Sequence, residues 1–496
     1  MKDLIPNAGT DSFRYRPLSS FIFFITSFLF GLKPWLWSLA AQLNHILNFL
    51  LLILIFKRIR TFFDSKSNLY LILPLFYLFY PGNVANVAWA AGRMDLAVIL
   101  FCLSSFYFSL KYIEQRNFYF LLISAILFFL ATLVKENATC WFAVELLLFW
   151  VIYRIKNKPA ELFKSLLKIF KSKVSILILY IICRSVLAGV TNKEILANVK
   201  IITTINAFLK SLLFTFLPVD SGTFIYSFDS SLITSIILYS IYFASLIVIS
   251  ILIYSRKKIF VYSFSFLSIA FITLFYYTIA GGGTYRLFAL TFTSSLIFLF
   301  IIICAKEKLN FLTKISGLII FLFFVYGFNK VSDYWIVNYK LQEESLSSLI
   351  NIYDKDKENV ILDYPHSLGQ ASCYSDIGIY LYYKANNEIG RYNNITELAG
   401  INSHVESHYI EGCSIEKKDE TYILTSGYND TFFSPEPFYT QKSSVGEKFN
   451  NQKDYLFEVM KLNSFNKPTV VKLQRINYQN KEISIIKYSN GKFEKY

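Results

Sequence analysis

Along the first 330 residues, stretches of almost uninterrupted apolar side chains alternate with short polar breaks. A hydrocarbon core about 30 Å thick takes roughly 20 apolar residues in a helix rising about 1.5 Å per residue. By that measure the pattern predicts membrane spans at 36–56, 68–86, 94–112, 117–134, 138–154, 174–190, 231–254, 259–280, 285–304 and 313–330. Two apolar pieces are too short: 18–32 predicts an interfacial helix, and 208–217, just ahead of Pro218, a re-entrant or surface segment. From about Ser332 the hydrocarbon runs stop, and a polar stretch rich in Asn, Lys, Glu and Tyr fills 331–496, a normal size for a domain. Within it the spacing predicts a helix over 341–353 and a strand over 359–364. The alternating stretches 469–475 and 482–488 read as the two arms of a hairpin. The expected fold is a polytopic α-helical membrane protein of about ten spans (residues 1–330), with interfacial or re-entrant helices, followed by a C-terminal α/β or α+β domain (residues 331–496).

Composition supports the membrane class. Of 496 residues, 54% are hydrophobic and 18% aromatic, with 50 Phe and 35 Tyr, and the mean hydropathy is +0.43. That is more apolar surface than a soluble core of this length can hide. The net charge of +15 would suggest nucleic acid if it lay on a soluble module. No basic, aromatic-interleaved module is present, so nucleic acid is not an expected partner. The charge sits beside the spans instead: Lys57, Arg58 and Arg60; Lys111 and Arg116; Arg154, Lys156, Lys158, Lys164, Lys168, Lys171 and Lys173; Arg256, Lys257 and Lys258; and Lys306, Lys308 and Lys314. With ten spans all five groups fall on one side, which the bias of basic residues toward the cytoplasm makes the inner one. The outer side then receives the 79–95 segment, the Lys135-Glu136 turn, the 191–230 segment, the turn at 281–286 and the C-terminal domain. The polar stretch 1–16 leads into no cleavage-site pattern, so a cleavable signal peptide is not expected.

Cys102, Cys140, Cys183 and Cys304 lie in or near spans, where they read as small apolar residues. Cys373 and Cys413, the pair in the outer domain, are the candidates for a disulfide. No Cys or His spacing predicts a metal site.

The most informative stretch is 79–101, FYPGNVANVAWAAGRMDLAVILF, where Asn83, Asn86, Trp89, Arg93 and Asp95 gather at a membrane edge. Ionisable groups there are costly and usually face a cavity, a partner or a substrate. Three other outer pieces carry charge: RYRPL at 14–18 with Arg16, KEN at 135–137 with Lys135 and Glu136, and GGGTYR at 281–286 with Arg286. His45 and Asn48, three residues apart in the first span, share a helix face. Each has a plain structural reading. Arg93 and Lys135 would snorkel to headgroups, Asp95 would cap the helix that follows, Glu136 would pair with Lys135, and His45 with Asn48 would bond a neighbouring helix. Taken together, the two carboxylates Asp95 and Glu136 and the cations Arg93, Lys135 and Arg286 suit a pocket for an anionic phosphate and a sugar. Arg binds phosphate as a fork and Lys as a point charge.

At these residues the chain resembles the GT-C glycosyltransferases, and most the protein O-mannosyltransferase-like branch that includes the transmembrane and tetratricopeptide-repeat proteins. The resemblance covers roughly 14–330. The family's YRPL, its Gly-x-x-Pro-Trp turn and its helix with a central His and Asn look like YRPLSSFIFFITSFLFGLKPWLWSLAAQLNHILN. Its loop ending in VAW-x-x-GR-x-D-L is similar to YPGNVANVAWAAGRMDL, with Tyr80 where the family has His. LVKEN looks like the family's Lys-Glu turn, and GTYRLFALTF is similar to a segment with an Arg-Tyr pair. The outer domain lacks tetratricopeptide repeats, and its NVILDYPHSLGQASCYSDIG is faintly similar to outer domains of bacterial relatives.

The resemblance implies a transferase in a bacterial inner (cytoplasmic) membrane, with its C-terminal domain periplasmic. It would move a sugar from a polyprenyl-phosphate-linked donor to a protein, lipid or glycan acceptor, with no cofactor beyond the donor lipid and metal dependence left open. By position Asp95 matches the family's second acidic motif and, with Glu136, is a candidate catalytic carboxylate. Arg93, Lys135, Arg286, Arg16, His45 and Trp89 are candidates for contacts to donor or acceptor. The chain departs from the family ahead of YRPL, where members carry a further span and an outer loop bearing the catalytic acidic residue. Here 14 residues precede Tyr15, and neither Asp3 nor Asp11 sits at the family's distance. The expectation is a start further upstream, a longer protein of which this chain is a part, or loss of the primary base. A polysaccharide polymerase or lipid-linked-sugar flippase, and a catalytically degenerate binding protein, are the rival classes.

Overall fold

The structure is a computed structural model that describes residues 16–31, 33–66, 68–89, 92–156, 160–188, 208, 211–212, 215–216, 259–279, 288–306 and 311–352, and thereafter a set of strands and one turn between 358 and 495. The chain divides into two compact units, Met1–Asp220 with Ile236–Asn329, and Ser221–Ser235 with Lys330–Tyr496.

The first unit is helical. Pro residues open α1 (Pro17–Phe30) and α2 (Pro34–Phe62), where a missing N–H costs nothing, and Gly31 ends α1 in the left-handed region at φ 57°. There follow α3 (Leu69–Leu78), α4 (Gly82–Ala88), α5 (Arg93–Gln115) and α6 (Phe118–Val134), the last capped by Asn117, whose side chain accepts from the Tyr119 N–H at 3.0 Å. A single 3-10 turn (Glu136–Thr139) leads to α7 (Cys140–Lys156), then come α8 (Ala160–Ala188), α9 (Ile259–Ile279), α10 (Ala289–Lys306) and α11 (Phe311–Ile352).

Helix α2 shows why this sequence suits a bilayer. Leu43, Leu47, Leu50 and Leu54 form an exposed apolar stripe, while His45, Asn48, Leu52, Ile55 and Ile59 line the buried face. A helix apolar on its outside as well as its inside belongs in lipid. The buried faces share one core, in which Phe56 stacks on Phe300 at 4.4 Å and Tyr80 on Phe292 at 4.2 Å. Four helices among the described residues are long and apolar enough to cross a membrane: Trp35–Phe62, Arg93–Gln115, Glu136–Ile155 and Phe311–Val337. The bent pair α3–α4 makes a fifth if it counts as one span. These are the features of a helical membrane protein.

Several sequence expectations are corrected. The span placed at 68–86 is broken: α3 and α4 meet at 62°, because the ring and missing N–H of Pro81 stop α3 from continuing. The polar stretch 79–95 is thus largely helical, with α4 in its middle and α5 starting at Arg93. The span placed at 174–190 belongs to a 29-residue helix that begins at Ala160, so Lys173 lies within a helix instead of ending a loop. The span 313–330 and the helix 341–353 are one 42-residue helix. No Pro or Gly lies between 329 and 352, so the polar composition there changes the solvent and leaves the backbone helical. The predicted span 231–254 lies outside the described residues.

The second unit carries thirteen described strands: β1 (Glu358–Ile361), β2 (Tyr364–Leu368), β3 (Ala371–Ser372), β4 (Ile395–Glu397), β5 (Gly400–Ser403), β6 (Ser414–Lys418), β7 (Thr421–Thr425), β8 (Thr431–Phe432), β9 (Lys448–Asn450), β10 (Tyr455–Leu462), β11 (Pro468–Arg475), β12 (Ile483–Ser489) and β13 (Lys492–Lys495). They form three sheets ordered β13-β12-β1-β4, β6-β7-β11-β10-β9 and β3-β2-β5-β8. The second is antiparallel throughout, and its register aligns buried Leu424, Val471 and buried Val459 across β7, β11 and β10. The expected hairpin of 469–475 with 482–488 does not form. β11 pairs with β10 and β7, whereas β12 pairs in parallel with β1 and antiparallel with β13. Alternation marks a strand and its apolar face but does not choose its partner.

Candidate functional site

The broken helix sets the site up. Asn83 Nδ2 donates to the Tyr77 carbonyl at 3.0 Å, closing the gap that Pro81 opens, and Asn86 Nδ2 reaches Asn83 Oδ1 at 3.4 Å. Gly92 then lets α5 start hard against α4: a Cβ there would stand 2.8 Å from both Ala85 O and Asn86 Cα. Only glycine fits.

Arg93 and Asp95 occupy the first turn of α5 and, two residues apart, point to different sides. Asp95 faces the end of α6. There Lys135 adopts extended backbone at φ −159° and ψ 138°, which throws its side chain off the helix, and its Nζ donates to Asp95 Oδ1 at 2.5 Å. The next residue turns the other way. Glu136 accepts from Arg16 Nε at 2.7 Å and from the same guanidinium's Nη2. Ser19 Oγ donates to the Val134 carbonyl at 2.6 Å, holding the start of α1 on an oxygen that the end of α6 leaves open. Tyr180 of α8 is an electrostatic neighbour of Arg184 and of both Arg16 and Glu136.

Arg93 faces α1 and α2. Its guanidinium carbon lies 4.0 Å from the Trp37 ring centre and 4.4 Å from that of Phe23, a geometry in which ring electrons stabilise the cation. The residue is 5% exposed, and its Nε and Nη2 have no hydrogen-bond partner among the described residues.

Deeper in α2, His45 Nε2 lies 3.2 Å from the Leu78 carbonyl with its ring against Tyr77, and Asn48 Nδ2 donates to the Leu96 carbonyl at 3.0 Å. These two bonds tie α2 to the end of α3 and to α5. Trp89 is half-buried where α4 ends. Arg286, Cys373 and Cys413 lie outside the described residues.

The structure therefore brings Arg16, Arg93, Asp95, Lys135 and Glu136, from three different parts of the chain, to one end of the α1–α5–α6 group. The pairing is not the one read from sequence neighbours, since Glu136 engages Arg16 and leaves Lys135 to Asp95. Among these five residues three cations stand against two carboxylates, an excess of one positive charge, and Arg93 is the cation whose described contacts are rings. Such a cluster can hold an anion on its excess charge. Either carboxylate can accept a proton once its cation is drawn aside. Among the described residues no group of three or more His, Cys, Asp or Glu could hold a metal ion.

Sequence reading missed a second buried charge cluster. Glu145 of α7 and Lys173 of α8 form an ion pair with both side chains 1% exposed, and Lys173 Nζ also donates to Ser105 Oγ at 2.7 Å. A signal existed in the spacing. Lys164, Lys168 and Lys171 repeat along one exposed stripe of α8, while Lys173 falls on the opposite one, in line with buried Ser165 and Ile169.

No known protein-family model matches this chain, and no curated protein or solved structure is detectably similar to it.

Proposed function

We propose that this protein is a GT-C-type membrane glycosyltransferase of a bacterial inner membrane. In this reading the chain crosses the membrane about ten times, its Arg16–Lys135 end faces outward, and its strand-rich C-terminal unit is periplasmic. It takes a sugar from a polyprenyl-phosphate donor and delivers it to an extracytoplasmic acceptor. The observation that carries the reading is the convergence of Asp95 with Lys135 and Glu136 with Arg16 at one end of the helices, beside the buried cation Arg93.

The chemistry asked of the site is inverting transfer. An acceptor hydroxyl gives its proton to Asp95 or Glu136 as its oxygen attacks the anomeric carbon, and the bond from that carbon to the phosphate oxygen breaks. The polyprenyl phosphate leaves with the electron pair, its charge met by Arg93, Lys135 or Arg16. A carboxylate bound to a cation is a weak base, so the donor phosphate must draw Lys135 or Arg16 toward itself for the base to act.

Purified protein in lipid vesicles, supplied with polyprenyl-phosphate sugars, tests this. Wild type should bind the donor and form product, and Asp95→Ala or Arg93→Ala should abolish transfer while inserting normally. Full activity in those variants would end the assignment.

A further inference from the structure

Taking that outer-end cluster as the functional site, we infer that Lys173 is the positioning residue that sets its geometry from inside the bundle. Three of the elements that carry the charges of the site are α5 with Asp95, the end of α6 with Lys135, and the turn leading into α7 with Glu136, the fourth being the start of α1 with Arg16. One side chain from α8 engages the first three. Lys173 Nζ pairs with Glu145 of α7, donates to Ser105 of α5 at 2.7 Å and lies 5.3 Å from the Phe128 ring centre of α6. Ser105 extends the junction: its Oγ donates to the Ser124 carbonyl at 2.9 Å, Ser124 Oγ returns a bond to the Ser105 carbonyl at 2.9 Å, and Ser109 Oγ lies 2.7 Å from Ser124 Oγ. Ser105, Ser109, Ser124 and Glu145 are fully buried.

The depths agree. Ser105 is ten residues past Asp95, Glu145 nine past Glu136, and Ser124 eleven before Lys135, so each lies about 15 Å along its helix from the charge it serves. A junction at one level on three helices fixes their relative sliding and rotation, and those two quantities decide whether Lys135 meets Asp95 and Glu136 meets Arg16. Apolar packing alone fixes them less sharply, because smooth side chains tolerate small shifts that a directed ion pair does not.

Hydrogen–deuterium exchange of the full chain in lipid nanodiscs, followed on peptides covering 92–96 and 134–139, needs no sugar donor and is the test. Lys173→Met alone strands Glu145, so it is compared with Lys173→Met combined with Glu145→Leu, which packs without a lone buried charge. The double variant should keep the wild-type unfolding temperature and exchange in α10, yet exchange about tenfold faster at both outer-end peptides. Wild-type exchange there in the double variant, or a rise spread evenly over all helices, overturns the proposal. The expected exchange in a protein that never transfers sugar keeps the positioning role and removes the enzymatic reading. Transfer at full rate with unchanged exchange does the reverse.

Discussion

The Lys135 ammonium reaches Asp95 at 2.5 Å because Lys135 is the residue at which the backbone leaves α6. One step earlier its side chain would follow the helix; one step later the chain is already committed to the 3-10 turn, where Glu136 turns to Arg16. Two adjacent residues of opposite charge thus serve two different partners.

Removing one member of this pair should cost more than removing both. Asp95→Asn takes from the buried Lys135 ammonium the carboxylate it faces, which costs about 3–5 kcal/mol. Asp95→Leu with Lys135→Met should recover most of the unfolding temperature in detergent. On the proposed function, sugar transfer should be lost in both variants.

The contact at Gly92 makes a steric prediction. Its backbone is in the ordinary helical range, with φ −65°, so a methyl group is opposed by packing alone. Gly92→Ala should lower stability by about 1–3 kcal/mol as α4 is pushed off α5. A Cβ added at Gly317 in α11 would meet nothing within 4 Å among the described residues outside its own helix backbone, and Gly317→Ala should be neutral or stabilising by up to about 1 kcal/mol. Thermal unfolding of the two variants side by side gives the comparison.

Asn83→Ala should destabilise by about 1–2 kcal/mol, because its amide is the side-chain donor that satisfies the Tyr77 carbonyl at the helix break. The loss should appear as faster exchange at 77–83 before any global change.

At the other end of α2 and α5, Arg58 pairs with Glu114, and these side chains are 20% and 27% exposed. Glu114→Gln should cost at most about 1 kcal/mol, and the difference should shrink as salt is raised toward about 1 M. A pair this wet is a poor strut compared with Glu145–Lys173.

Much of the helical unit could be read from the chain. The apolar runs located α2, α5, α6 and α7 closely, because in lipid the length of a helix and the length of its hydrocarbon are the same quantity. Two things hid. The bend at Pro81 lies inside the predicted span 68–86, because the apolar run before it and Val84, Ala85 and Val87 after it average out the polar residues between them. Pro74 offers the same residue type inside α3 without a break, so proline alone does not decide. The role of Lys173 was concealed by its neighbours, since a lysine counted among lysines reads as a surface charge until its helical phase is compared with theirs. The charges at 16, 93, 95, 135 and 136 were grouped, with Arg286, by the one side to which the predicted spans assign them. Who pairs with whom depends on where the backbone turns at Lys135, which no spacing in the sequence records.

The close seat of Gly92 also limits how the molecule can flex. With Ala85 and Asn86 backbone atoms resting where a methyl would stand, α4 and the head of α5 have no slack between them and must travel as one stiff piece. Any parting of Asp95 from Lys135 has to come from the α1–α6 wall, which hangs there on side-chain bonds: Arg16 to Glu136 and Ser19 to the Val134 carbonyl.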